Sequence, residues 1–348
     1  MKRFDNGPAT MKQVAQEAGV SVQTVSRVIN KSPQVSPETL KRVEEVISRL
    51  EYRPNAIARS LSRRRTKVLG VVASGLGYYG PAHTLVGIDY SANQIGFSIH
   101  LSLVHQPETE NVEQVINSLI SQQVEGIIWA VPEINSNRSW LRKMTPQLGI
   151  PIVFLSMQPD PDLKVIDVEN RNGGRIATEH LLAQGYRKVG LITGPLSWWE
   201  ARERQSGWQD AHISAGIPFS DDQIVEGDWS AKSGEQGLYQ LLEKSPEIEA
   251  VFTSNDQMAL GLLQAARRLG RKVPQDLAVV GFDDIPESAY FYPSLTTVQQ
   301  DLYGLGSMAV HTLIRMLENQ PVSASISPSN ALFLQPQLII RDSSILSA

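Results

Sequence analysis

The chain contains no cysteine, so disulfides, thiolate zinc sites and cysteine nucleophiles are excluded. It has no run of about 18 apolar residues, which excludes a membrane-spanning helix. The first residues, MKRFDNGPATMKQ, carry positive charge but no apolar segment of the secretory kind, so the expected address is the cytoplasm. Aromatic residues are sparse at 7%, yet 41% of the 348 residues are hydrophobic and 20% charged, a balance that excludes wholesale disorder and supplies cores for two or three domains. No G-x-x-x-x-G-K-[ST] loop and no G-x-S-x-G elbow occur, which removes two common routes to phosphate binding and acyl transfer.

What is present is unevenly distributed. Residues 1–65 hold 13 Lys and Arg against 6 Asp and Glu, whereas the remainder holds 19 against 30. A small basic head on a larger acidic body points to a polyanionic partner for the head, the alternative being a solvated basic tail.

The head reads as short helices. Thr10 and Gln13 fit a capping box, and Met11, Val14, Ala15 and Ala18 follow at helical spacing. Gly19 is placed to turn the chain, and Ser21 to cap a second helix from Val22 to about residue 30, with Val22, Val25, Val28 and Ile29 on its apolar side. Ser36-Pro37-Glu38 starts a third, running to about Leu50. Two short helices joined at a glycine turn are the mark of a helix-turn-helix. The second displays Gln23, Thr24, Ser26, Arg27 and Asn30, all hydrogen-bonders suited to base edges and phosphates, with no carboxylate among them.

The run from Val14 to Arg64, with its AGVS-x-x-TVSRV-x-N core and YRPN-x-x-ARSL ending, resembles the DNA-binding segment of the LacI/GalR family of transcriptional regulators over about 50 contiguous residues. The resemblance implies that Val22, Gln23 and Arg27 read bases in the major groove. It also implies that Ser21, Thr24, Ser26 and Asn30 mainly position the backbone phosphates. It further implies a hinge helix over about 56–62, capped by Asn55, which pairs with a second copy in the minor groove. Asn55 and Ala58 would lie on the DNA and Leu61 would wedge between base steps. Read without the resemblance, Leu61 is a linker residue and Arg63-Arg64-Arg65 a solvated triplet.

From Lys67 onward, apolar runs of strand length alternate with amphipathic stretches. The strand-like runs are Val68–Ala73, 99–104, 126–131, Ile152–Leu155, Val189–Thr193, Ala250–Thr253 and 277–281. The helical stretches are 110–122, 174–183, 233–243, 257–269 and 302–318. This alternation predicts parallel sheets covered by helices, and about 280 residues suggest two α/β lobes. The expected fold class is therefore an N-terminal all-α helix-turn-helix domain with a hinge helix, followed by an α/β two-lobed effector domain of the periplasmic-binding-protein kind. The expected boundaries are 10–54, 55–65 and 66–348. By resemblance, the first lobe takes 67–168 and 300–330, and the second 169–299 and 331–342.

Some motifs fail on inspection. Gly75-x-Gly77-x-x-Gly80 follows a strand, but the next strand ends in Val104-His105 with no acid for a ribose. The histidines lack metal-ligand spacing, so no metal and no catalytic residue is expected. Asp283-Asp284 fits ligand holding at least as well as catalysis.

In open α/β sheets, ligands sit beyond the carboxyl ends of the strands, where Ser74, Trp129, Ser156, Asn255 and Asp283 fall. Such polar and aromatic groups suit the hydroxyls and C–H faces of a sugar. The motifs ITGPLS, EGDWSA-x-SG, SNDQMALG, VVGFDD and SLTTVQQD extend the family resemblance into the second lobe, which implies sugar contacts at Arg204, Trp229, Asn255, Asp283 and Gln300, with Ser74 and Tyr78 on the facing loop. Ala130, Ser156, Glu200, Gln106 and Leu302 depart from the residues of the family's namesake, so the same sugar is not implied. Trp129, Trp198 and Trp199 either stack on a larger glycoside or pack the core.

The resulting expectation is a non-enzymatic repressor that binds pseudo-palindromic double-stranded DNA as a homodimer. A sugar or glycoside effector releases it, and it needs no cofactor. A tail too short for leucine heptads argues against a tetramer. The alternatives are a corepressor-type member, in which ligand strengthens DNA binding, and a sugar-binding transport component.

Overall fold

The computed structural model describes residues 9–29, 32–52, 65–107, 112–141, 148–320 and 330–345. The chain divides into two compact units, Met1–Thr66 and Lys67–Ala348.

The first unit contains helices α1 (Met11–Glu17), α2 (Val22–Ile29) and α3 (Pro37–Arg49). Thr10 and Gln13 close the capping box on α1, and Ser36 caps α3, with Pro37 in its first turn. Between α1 and α2, Gly19 takes φ +63°, a left-handed conformation that a side chain would strain. Val14, Ala15, Ala18, Val25, Val28, Val43, Val46 and Tyr52 form the small core. Asn30, Asn55, Ala58, Leu61 and the expected hinge helix lie outside the described residues.

The second unit has two lobes, each built on a six-stranded sheet among the described residues. The first sheet comprises β1 (Val68–Ala73), β2 (Ser98–Leu103), β3 (Gly126–Ala130), β4 (Ile152–Leu155), β5 (Val165–Val168) and β11 (Ala331–Leu334), in the order β11-β5-β4-β3-β1-β2. All its pairings are parallel. The second comprises β6 (Val189–Thr193), β7 (Ile224–Glu226), β8 (Ala250–Thr253), β9 (Ala278–Asp283), β10 (Thr296–Gln299) and β12 (Gln337–Ile339), in the order β12-β10-β9-β8-β6-β7. It is parallel except for the antiparallel edge strand β12. Helices fill the crossovers: α4 (Tyr79–Gln94), α5 (Val112–Ser121), α6 (Asn170–Ala183), α7 (Trp199–Ala215), α8 (Ala231–Lys244), α9 (Asp256–Arg268) and α10 (Leu302–Leu317). Among the described residues no helix is long and apolar enough to cross a membrane.

The chain passes between lobes after β5, after β10 and after β11. The last passage corrects the expectation that 331–342 belongs wholly to the second lobe. β11 pairs with β5, and Ala331 packs into the first-lobe core. Pro336 interrupts the apolar run after Leu334, and only the residues beyond it join the second sheet.

Three helix crossings need glycine: α4 with α10, α6 with α7, and α8 with α9, where Gly234 and Gly261 lie against backbone of the partner helix. A Cβ on Gly87 of α4 would stand 2.4 Å from the Tyr303 carbonyl oxygen of α10, and one on Gly174 of α6 would stand 2.2 Å from that of Arg204 on α7. The second close approach holds α7, which carries Arg204, against α6.

Candidate functional site

A cavity of about 550 Å³ lies between the lobes. The first lobe contributes the loop and helix start Gly77–Pro81, the β4 end at Leu155 and Ser156, and Asp167 of β5. The second contributes Trp198, Glu200 and Arg204 around the start of α7, the 228–231 turn, Asn255 and Asp283. Gln300, Leu302 and Leu305 close it from the second crossover. These are strand ends and helix starts, where the backbone turns and side chains converge.

Arg204 is the centre of the second-lobe wall. It is 6% exposed, and its Nε donates to Asn170 Oδ1 at 2.8 Å while Nη1 donates to the Ser254 carbonyl at 2.5 Å. Its guanidinium lies 3.8 Å from the centroid of the Phe282 ring and 4.0 Å from Asp283 Oδ1. Asp283 Oδ1 also accepts from Gln300 Nε2 at 2.6 Å. Burial raises the Asp283 carboxyl to about 6 despite the opposing pull of Arg204 and Gln300. Asn255 accepts from the Met258 amide at the start of α9 and donates to the Trp229 carbonyl at 3.0 Å, so one side chain caps a helix and fixes the tryptophan turn.

The aromatic wall is continuous. Tyr78 meets the edge of Trp198 at 5.5 Å, and Trp198 meets Trp229 at 5.9 Å. Trp229 lies over Gly194, where a Cβ would fall 2.2 Å from the indole. Ser156, Trp229 and Asp283 all hold positive φ, at +54°, +70° and +115°. Such backbone strain persists only where the surroundings fix it, and it gathers at binding sites.

Two further carboxyls face the cavity from opposite lobes. Burial raises Glu200 to about 7, even though the Ser156 hydroxyl and its own backbone amide donate to it. Asp167 is raised well above the usual range by burial first and by Glu200 second. A strap joins the lobes beside them: the Trp199 amide donates to the Glu133 carbonyl and the Asn135 amide to the Ser197 carbonyl, each at 2.9 Å. The Glu133 side chain reaches Arg138 at 3.1 Å and Arg202 at 3.7 Å.

These raised carboxyls set a pH dependence. A group whose pKa is higher folded than unfolded holds a proton that the unfolded chain has lost, so its stabilisation is full below the unfolded pKa and fades as pH rises through the folded one. His212 and His180 have burial-lowered pKa values and act the other way, losing stability as pH falls below about 6.5. Above that pH the carboxyls dominate. The melting temperature of the ligand-free protein is therefore expected to fall between pH 6.5 and 8, and Glu200→Gln to flatten the slope. A melting temperature that rises over this window in differential scanning calorimetry would contradict the assignment.

Of the residues singled out from sequence, the structure brings Tyr78, Ser156, Arg204, Trp229, Asn255, Asp283 and Gln300 together around one cavity. It does not bring Ser74 or Trp129 there. Ser74 is 3% exposed, beneath the loop that does line the cavity. Trp129 packs against Trp140 with centroids 4.8 Å apart, in the apolar core of the first lobe. Trp198 lines the cavity, whereas Trp199 is placed to hydrogen-bond Asp167. Sequence reasoning missed Asp167, Asn170 and Asp228. The available signal for Asp167 was a lone carboxylate inside the buried strand VIDV. Gly75-x-Gly77-x-x-Gly80 does open helix α4, and its last two glycines line this cleft. Among the described residues no group of three His, Asp or Glu is placed to hold a metal ion.

In the first unit, Val22, Gln23 and Arg27 are exposed along α2. Ser21 Oγ accepts from the Thr24 amide at 3.1 Å and lies 2.9 Å from Thr24 Oγ1, capping the helix. Arg49 of α3 pairs with Glu17 of α1 across the bundle.

Comparison with known proteins places both units. The family model described as bacterial regulatory proteins, lacI family, matches residues 10–55, and that of the periplasmic binding protein-like domain matches 178–344. The lactose operon repressor of Escherichia coli (strain K12) is 34% identical over 319 residues, spanning 91% of this chain and 87% of that protein. The crystal structure of the lac repressor dimer bound to operator and the anti-inducer ONPF aligns with TM-score 0.86 at 32% identity, covering 98% of this chain and 100% of that one. A complex of the transcriptional regulator CelR with cellobiose aligns with TM-score 0.70 at 30% identity, covering 96% and 99%.

Proposed function

The chain belongs to the lacI family of bacterial regulatory proteins, and we propose that it is a transcriptional repressor released from its operator by a sugar or glycoside bound between its two lobes. The observation that carries the ligand class is the cavity itself. The Tyr78–Trp198–Trp229 surface and the polar groups of Arg204, Asp283, Asn255 and Gln300 line one cavity of about 550 Å³. That volume suits one or two sugar rings, with aromatic faces against ring C–H groups and charged donors and acceptors against hydroxyls. Its relatives in sequence and structure include a lactose operon repressor and a regulator bound to cellobiose.

The helix-turn-helix supplies the DNA contacts. Two copies related by a two-fold axis match the two halves of a pseudo-palindromic operator. Such a protein works in the cytoplasm, where its DNA is. A sugar that favours one arrangement of the lobes shifts the population away from the one that holds DNA. A melting-temperature screen of mono- and disaccharides identifies the effector, because binding to the folded state alone raises stability. A panel that leaves the melting temperature unmoved would contradict the carbohydrate reading.

Arg27, exposed on α2, is expected to fork onto a guanine. Arg27→Ala should relax preference at one base pair per half-site, at a cost of about 1–3 kcal/mol there. Anisotropy titrations with single-base variants of an operator selected from random DNA measure this. Uniform weakening across all variants would make Arg27 a phosphate contact instead.

A further inference from the structure

We propose that Glu133 and Arg202 latch the two lobes across the cleft, so that the effector passes in and out when this latch parts. They act as positioning residues, because neither lines the cavity and each works through its neighbours. The proposal rests on the reading of the cavity as the effector site and adds what controls access to it.

The strap lies away from the covalent crossovers. Those follow β5, β10 and β11, at one side of each sheet. The first-lobe half of the strap follows β3, two strands from β5, and the second-lobe half follows β6, three strands from β10. At about 4.8 Å per strand, the two halves stand about 10 and 14 Å from the crossovers, measured across the sheets. The cavity fills the space between. Asn170 and Gln300 line it beside the crossovers, and Pro132 and Trp198 line it beside the strap.

Each half is stiff, and the seam between them is thin. In the first lobe, Asn137 Oδ1 accepts from the Ile134 amide at 3.2 Å and Asn137 Nδ2 donates to the Pro132 carbonyl at 2.9 Å. The Glu133 amide donates to the Ser156 carbonyl at 2.9 Å. The buried Glu133 carboxylate accepts from the Gln158 amide at 2.9 Å and from Arg138 at 3.1 Å. In the second lobe, Arg202 Nη1 donates to the Leu196 and Ser197 carbonyls at 2.9 and 2.8 Å. Across the seam, Ile134 and Trp198 pair as one antiparallel bridge, flanked by the Trp199–Glu133 and Asn135–Ser197 backbone bonds. Arg202 Nη2 faces Glu133 Oε1 beside them at 3.7 Å. Loosening therefore starts at the seam. Trp198 moves with the second half, so parting also draws it from Tyr78, which it meets edge-on from the other lobe.

The strap has a kinetic consequence. Glu133 and Arg202 do not line the cavity, so the strength of their pairing is common to the closed form with and without effector. A contribution common to both cancels from the affinity and remains in the barrier to passage. Weakening the seam speeds entry and exit alike.

The test is stopped-flow tryptophan fluorescence of the full chain with a mono- and disaccharide panel that includes glucose, galactose, ribose, lactose and cellobiose, with Kd from titration calorimetry. In Glu133→Gln with Arg202→Gln, association and dissociation are both expected to quicken about fivefold, with Kd held within about twofold. A second variant cuts the backbone part of the seam. Trp199 opens α7, where proline is tolerated, and Trp198 before it is extended at φ −86° and ψ 136°, as a residue before proline must be. Trp199→Pro lacks the amide that bonds Glu133, whereas Trp199→Ala lacks the same indole and keeps the amide. Both rates are expected to be about fivefold higher in Trp199→Pro than in Trp199→Ala. Hydrogen exchange checks that only the seam has loosened: the Asn135 amide exchanges faster in the variants, while the amides of β6 do not. Wild-type rates in both variants, or a Kd that rises with association unchanged, would overturn the latch and leave the sugar site standing. Failure of the whole panel to bind would overturn the carbohydrate reading and the latch with it.

Discussion

Arg204→Ala is expected to abolish the response to sugar. The side chain links Asn170, the Ser254 carbonyl and Asp283 while lying flat on Phe282. Its removal leaves Asp283 buried without its cation and Asn170 without its donor. Losing a charged hydrogen-bonder costs about 1.5–3 kcal/mol of ligand affinity, which is tenfold or more in Kd. The unpaired carboxylate costs the second unit about 3–5 kcal/mol of stability in addition. Lysine is not a substitute, because an ammonium cannot span the three acceptors or stack on the ring. Titration calorimetry and DNA release assays read the result. A variant that releases DNA at the wild-type sugar concentration would mean that the sugar sits elsewhere.

Gly174→Val is expected to damage the second unit most. The first carbon of the new side chain would fall 2.2 Å from the Arg204 carbonyl oxygen, which is backbone and cannot swing aside. Helices α6 and α7 must then separate, opening the core around Trp208, Phe252 and Phe282. Overpacking of this kind costs about 1–3 kcal/mol and more where backbone must move. Since α7 also carries Glu200 and Arg204, sugar binding should fail together with stability. A Gly174→Val protein with wild-type melting temperature would show that the crossing tolerates separation.

The helix-turn-helix was the most legible part of the chain, because its signals are local. Thr10 and Gln13, Gly19, and Ser36 with Pro37 mark the helix ends at the positions the structure shows. The buried strands at Val68–Ala73 and Ile152–Leu155 were legible as apolar runs of strand length. Helices α4 and α7 were not, and the reason is physical. The buried face of α7 is Ala201, Arg204, Gly207, Trp208, Ala211 and His212, so the positions that carry helical periodicity hold small and functional residues in place of leucines. On α4, the buried face carries Thr84, Gly87, Ile88, Ser91 and Ala92. Close helix crossings, and on α7 the site residue Arg204, thus erased the pattern that would have announced these helices. The cleft residues taken from motifs came together, whereas Trp129 and Ser74 did not. Position at a strand end leaves open which way a side chain turns, and alternation along β3 sends Trp129 into the core. Asp167 escaped notice because its strand is four residues long and its partner Glu200 comes from the other lobe.

A linkage measurement on one sample tests most directly whether sugar in the cleft controls DNA binding. Operator affinity is measured by fluorescence anisotropy at rising concentrations of the sugar that raises the melting temperature, and sugar affinity is measured with and without saturating operator. Sugar is expected to weaken operator binding, and operator to weaken sugar binding by the same factor, since coupling between two binding sites is reciprocal. Operator affinity that rises with sugar would make the ligand a corepressor, and operator affinity indifferent to bound sugar would contradict a link between the cleft and the DNA.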